Sequence, residues 1–204
     1  MAHDRHIRDI MADDRLTAEG VKQAERLRDR LATTGEIKAD ALLASSYPRA
    51  RQTAEIIAPA LGLPVILEDD LQEWRPGDNG GMYWDEYIEK YGRDDPFREP
   101  FRTTAPGGEY WSQFMLRVIS ILHRIAHEYE DKSIVLVCHG GIVDGSLISF
   151  FGLSALYRPH LSLDTDNTAI THWKHFQENG APRWQLMKYN DALHLQYDIR
   201  GQGE

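Results

Sequence analysis

With 204 residues, 42% of them apolar, the chain can fill one sizeable core, and its aromatic residues recur with no fixed period, which excludes a solenoid or a propeller. A net charge of −9 repels polyanions, so a nucleic-acid groove or an anionic membrane surface is excluded as a partner, and no run approaches the roughly 18 apolar residues that span a bilayer. The single cysteine, Cys138, rules out an internal disulfide and any multi-cysteine metal site, and suits a reducing cytoplasm, where the chain is expected.

In chain order, Thr17 can cap a helix whose inward face runs Val21, Ala24, Leu27 and Leu31, with Arg26, Arg28 and Arg30 on the wetter side. Residues 41–44 are a short apolar run that reads as a strand, Ser45 and Ser46 end it, and helical spacing resumes over 50–61. Gly62 closes that helix and residues 64–67 form the next strand. The stretch 68–81 is polar, with Pro76, Gly77, Gly80 and Gly81 as breakers. A short helix is predicted over 84–91, and residues 92–108, with three prolines and two terminal glycines, are predicted to be irregular. The whole of 74–108 reads as an irregular insertion or lid on a single domain spanning 1–204.

Trp111, Phe114, Met115, Val118, Leu122 and Ile125 then trace the buried stripe of a long helix. Residues 133–138 are a continuous β-branched apolar run, the mark of a strand covered on both faces, and His139-Gly140-Gly141 follows directly before a helix over 142–151. Two more strands are predicted over 168–173 and 184–189, separated by a turn at Gly180. The alternation predicts a three-layer α/β sandwich, a mostly parallel central sheet with helices on both faces.

Three strand ends each deliver a chemically able side chain to the edge where open α/β sheets bind ligands. His139 stands before two glycines at a helix N-terminus, which favours an anion, and its imidazole could attack phosphorus or donate to a phosphate oxygen. A structural histidine fits such a turn equally well. Arg49 follows the 41–44 strand and can clamp two phosphate oxygens, whereas Arg51 reads as part of a solvated helix face. Glu73 follows the third strand and could protonate a leaving alkoxide, although an exposed, ion-paired glutamate also explains one such residue taken alone. His123 and His127, four apart, lack a third ligand and read as a solvated face; Asp164, Asp166 and His160 are too sparse for a metal, and no metal or cofactor is expected. The aromatic group Trp74, Tyr83, Trp84, Tyr110 and Trp111 suits an apolar leaving group or plain core packing.

Six segments in order, Leu16-Thr17-Ala18-Glu19-Gly20, the stretch 45–54, Leu71-Gln72-Glu73, Pro106-Gly107-Gly108-Glu109, Val137-Cys138-His139-Gly140-Gly141 and Asn190-Asp191-Ala192-Leu193-His194-Leu195, resemble the histidine phosphatase superfamily, the phosphoglycerate-mutase-like proteins. The resemblance implies a metal-independent phosphohistidine mechanism. Arg49 then matches the second phosphate-binding arginine, Glu73 the proton donor and His139 the second histidine, with Gly140 offering a backbone N–H to the phosphate. It also implies a small-molecule phosphate ester as partner, and leaves a homodimer open. Mutases of this family generally carry a longer insertion between the glutamate and the second histidine, so the chain reads as a phosphatase. A mutase-type phosphotransferase, and an inactive relative that binds phosphorylated ligands, are the alternatives.

One departure bears on the mechanism. The family's nucleophile lies in an Arg-His-Gly or Arg-His-Ala motif ending the first strand, well before Leu-Thr-x-x-Gly. The sole candidate, Arg5-His6-Ile7, has no apolar strand ahead of it, isoleucine in place of the small residue and ten positions from His6 to Leu16. His6 is therefore read as a surface residue, and the chain as lacking the family's first strand. A longer native protein, or pairing supplied by a partner chain, would restore it.

Overall fold

The computed structural model describes residues 15–75, 77–78, 84–92, 99–103, 105–156 and 163–196, without the side chain of Trp84. His6, Pro76, Gly80, Gly81, Tyr83 and His160 lie outside the described residues. The elements are α1 (Ala18–Thr34), β1 (Ala41–Ser45), α2 (Pro48–Leu61), β2 (Val65–Glu68), a 3-10 turn (Asp69–Leu71) and α3 (Trp84–Tyr91). They continue with α4 (Trp111–Glu128), β3 (Ile134–Val137), α5 (Gly140–Phe150), β4 (Ile170–Glu178), β5 (Ala181–Asp191) and the short α6 (Leu193–Gln196). No described helix is long and apolar enough to cross a membrane.

β1 is the middle strand of a parallel sheet in the order β2-β1-β3, and all five of its residues are buried. Side chains alternate between faces along a strand. Ala41 and Leu43 therefore join Leu136, with Phe114, Met115 and Val118 of α4 and Ile142 of α5, in one core, whereas Leu42 joins Val135 and Val137, with Leu27 and Leu31 of α1 and Ile57 of α2, in the other. Helices thus cover both faces, the three layers expected from the alternation of elements. Thr17 caps α1 by accepting the Gly20 N–H at 3.1 Å.

The last two strands are longer than predicted and form a separate antiparallel sheet, turned by Asn179 (φ 53°) and Gly180 (φ 78°), the left-handed pair that a tight hairpin requires. The hairpin lies against α5, where the Trp184 ring stacks on Phe150 with centroids 3.7 Å apart and the Trp173 indole N–H donates to Ser146 Oγ at 3.0 Å. Among the described residues β3 pairs only with β1, so its second edge has no strand partner.

Arg30 is not on the wet side of α1 as the helical spacing suggested. Its side chain is 12% exposed and its guanidinium donates to both carboxylate oxygens of Asp191, at 2.9 and 2.7 Å, and to both of Glu36. Hydrogen bonding to this guanidinium holds both carboxyls well below the usual carboxylate range.

The segment 74–108 is closed at its neck. Glu109 N–H donates to the Arg75 carbonyl, the Trp74 indole N–H to the Glu109 carbonyl and Asp78 N–H to the Pro106 carbonyl. Gly77 (φ 74°) sits so close that a Cβ there would strike the backbone of Pro106 and Gly108. Within the segment α3 buries Tyr87 completely, so this part is ordered as a helix.

Candidate active site

Because β1, β2 and β3 are parallel, their C-terminal ends open on one edge of the sheet, and the chain leaving each end carries one of the predicted side chains. At the end of β1, Ser45 is fully buried and its hydroxyl accepts the Tyr47 N–H at 3.2 Å, a local turn that feeds Pro48 into the first position of α2. Arg49 therefore lies in the first turn of α2, its guanidinium carbon 5.2 Å from the centre of the Tyr47 ring. The Tyr47 ring in turn stands edge-on to His139, with centroids 5.5 Å apart.

His139 ends the chain leaving β3 and is the extended residue from which α5 starts. It is 8% exposed, and its Nε2 lies 2.8 Å from Ser45 Oγ. Burial above all, then the positive charges of Arg49 and Arg117, push its pKa down to about 3, so the imidazole is neutral at physiological pH.

Glu73 reaches the same helix start from the β2 side. Its Oε1 accepts the Trp74 N–H at 2.9 Å and its Oε2 the Gly141 N–H at 3.0 Å, leaving each oxygen a further lone pair for a proton or a leaving group. The first turn of α5 is where free N–H groups and the helix field favour negative oxygen. The Gly140 N–H makes no hydrogen bond among the described residues, and the residue is exposed, so it remains open to an anion.

Gly141 is glycine because a Cβ would land on Glu73 Oε1 and come 2.9 Å from the Phe114 ring. Gly141→Ala is expected to displace the Glu73 carboxylate, reproducing the kinetic defect of Glu73→Gln, and to lower the melting temperature as well, because the buried Phe114 ring must also shift. Activity measured beside a thermal melt checks this, and wild-type kinetics would contradict it.

Beneath the site, Arg117 of α4 organises the Glu73 loop. Its guanidinium donates to the carbonyls of Asp70, Gln72 and Glu73 at 2.7, 2.8 and 3.2 Å, and grips both oxygens of Glu109 at 2.7 Å. Both side chains of this pair are less than a tenth exposed. The Tyr47 phenol feels Arg75, Arg49 and Arg117 together, although burial still raises its pKa on balance. Three arginines, Arg49, Arg75 and Arg117, thus converge near this edge in a chain of net charge −9.

The structure thus brings Arg49, Glu73, His139 and Gly140 to one edge. It places Arg51 outward, paired with Glu55 at 2.7 Å. Trp74 and Trp111 pack with Phe114, Trp74 stacked on that ring. His123 and His127 are exposed, and among the described residues no three His, Cys, Asp or Glu side chains stand together to hold a metal.

Ser45, Tyr47 and Arg117 are given no site role by the sequence. Arg117 carried a signal: it lies three residues after Phe114 and four before Ile121, on a stripe otherwise apolar, and a charge in such a place needs a buried partner.

Known proteins resemble this chain in sequence and in fold. Over 130 residues the chain is 31% identical to a metal-independent phosphoserine phosphatase of Arabidopsis thaliana, a match covering 61% of the chain and 53% of that protein. Over 189 residues it is 32% identical to phosphoserine phosphatase 1 of Hydrogenobacter thermophilus, covering 91% of the chain and 84% of that protein. A mycobacterial glucosyl-3-phosphoglycerate phosphatase, solved in complex with VO3, shares the fold at a TM-score of 0.72 and 22% identity, over 93% of this chain and 96% of that one. The profile of the histidine phosphatase superfamily, branch 1, matches residues 4–192, and the chain belongs to that superfamily.

Proposed function

We propose that the protein hydrolyses a small-molecule phosphate monoester through a phosphohistidine intermediate. The observation that carries this reading is the seating of the Glu73 carboxylate on the α5 N-terminus beside Arg49 and a neutral His139, which gathers an acid, a cation and a neutral donor at the ends of three strands. Arg49 and the Gly140 N–H hold the phosphoryl oxygens, and His139 donates to one of them. As the P–O bond to the alcohol breaks, Glu73 delivers a proton to the departing oxygen while the phosphoryl group passes to a histidine nitrogen. Water then displaces that nitrogen, handing a proton back to the Glu73 carboxylate and releasing inorganic phosphate. The names of the two phosphoserine phosphatases support a hydrolase of small phosphate esters.

The described histidines other than His139 lie on α4, the hairpin and α6. A second reading has the chain bind phosphorylated ligands without turning them over. Hydrolysis of an aryl phosphate by the 204-residue chain, beside a form extended upstream to the next in-frame start, separates the two. Turnover by either form, with an acid-labile, alkali-stable phosphohistidine trapped during it, supports the enzyme, whereas phosphate binding by both without turnover supports the second reading. In an active form Glu73→Gln is expected to slow alkyl phosphates by about 10²-fold and nitrophenyl phosphate by less than about tenfold, because only the poor leaving group needs the proton. Equal slowing of both would remove Glu73 from the role of acid.

A further inference from the structure

Ser45 has 0% of its surface exposed, and its hydroxyl oxygen has two polar neighbours, the Tyr47 N–H at 3.2 Å and His139 Nε2 at 2.8 Å. A hydroxyl has one proton to give and two lone pairs to receive. If Nε2 carried the imidazole proton, it and the Tyr47 N–H would both donate into Ser45 Oγ, and the hydroxyl proton would have no acceptor among the described residues, a state that buried polar groups avoid. If the hydroxyl donates to Nε2 instead, every proton has an acceptor, and the imidazole proton must sit on Nδ1. The imidazole is neutral at pH 7, so what is set here is a tautomer and not a charge.

We propose that Ser45 is a positioning residue, holding His139 in its Nδ1–H form so that Nδ1–H, which has no partner among the described residues, is the group offered to a phosphoryl oxygen. This rests on reading the edge as a phosphoryl site. The donor direction would then be fixed before any ligand arrives, with no ring flip or proton shuffle on binding.

The test is the ring ¹⁵N spectrum of the ¹⁵N-labelled 204-residue chain at pH 7, with the His139 signals assigned by their loss in His139→Gln. The wild type is expected to show Nδ1 protonated and Nε2 bare by about ten to one, and inorganic phosphate is expected to move the Nδ1 signal. Ser45→Ala should lose that bias and bind phosphate about tenfold more weakly, while Ser45→Thr, which keeps the hydroxyl, should retain both. A protonated Nε2 in the wild type, or an unchanged tautomer in a folded Ser45→Ala, would overturn the proposal. If Ser45→Ala does not fold, the wild type and Ser45→Thr decide it alone. The tautomer is read without substrate, so its failure is distinct from a failure of the phosphatase reading, which shows as absent turnover with the Nδ1–H form intact.

Discussion

Arg49→Ala is expected to lower kcat/KM for an aryl phosphate by about 10²- to 10³-fold, with KM for substrate and Kd for inorganic phosphate both rising. The guanidinium sits in the first turn of α2 beside the Tyr47 ring, and it faces a site in which the imidazole contributes no charge. Arg49 is therefore expected to supply much of the positive charge that the phosphoryl group meets, in a protein whose overall field repels it. Arg49→Lys keeps the charge but loses the planar fork, so it should recover only part of the rate and remain roughly tenfold below wild type. Steady-state kinetics with phosphate calorimetry checks both variants, and an Arg49→Ala protein with wild-type rate and phosphate affinity would rule out the clamp.

Arg117→Met should cost about 3–5 kcal/mol of stability, a fall in melting temperature of roughly 10 °C for a domain of this size. The reason is what the substitution leaves behind: Glu109, 6% exposed as a side chain, keeps a charge with its main partner gone, and three carbonyls of the Glu73 loop lose their donor. Adding Glu109→Gln should recover part of the loss, because it removes the stranded charge although it restores no contact. Denaturant melts of the two single variants and the double variant measure the coupling; a melt for Arg117→Met within about one degree of wild type would contradict the account.

What could be read from the sequence follows the range over which each signal acts. Residues 41–44 and 133–138 announced themselves as strands because continuous apolar runs need no partner to be recognised, and Arg49, Glu73 and His139 could be placed because each follows such a run within a few residues. Ser45 could not be assigned a role that way, since its partner His139 is 94 residues distant and their meeting depends on β1 and β3 lying side by side. Arg30 differs from its expected place for a related reason: its helical position is peripheral, and Asp191, 161 residues on, joins Glu36 in drawing it inward. The hairpin was cut short because residues 174–183 are mostly polar and exposed, so their strand character comes from pairing across Asn179-Gly180 and not from an apolar alternation.

The clasp between Arg30 and Asp191 also dates an event in the life of the chain. A polypeptide leaves the ribosome N-terminus first, so a contact spanning 161 residues cannot form until nearly all of the described fold has emerged. At synthesis rates of about 5–20 residues per second the delay is roughly 8–32 s. During that interval α1 can already pack on α2, its near neighbour in sequence, and Arg30 can already pair with Glu36, while its bond to Asp191 waits for a carboxylate still to be made. Closure of the clasp is thus among the last steps of synthesis-coupled folding, and it joins the first described helix to the end of the last strand.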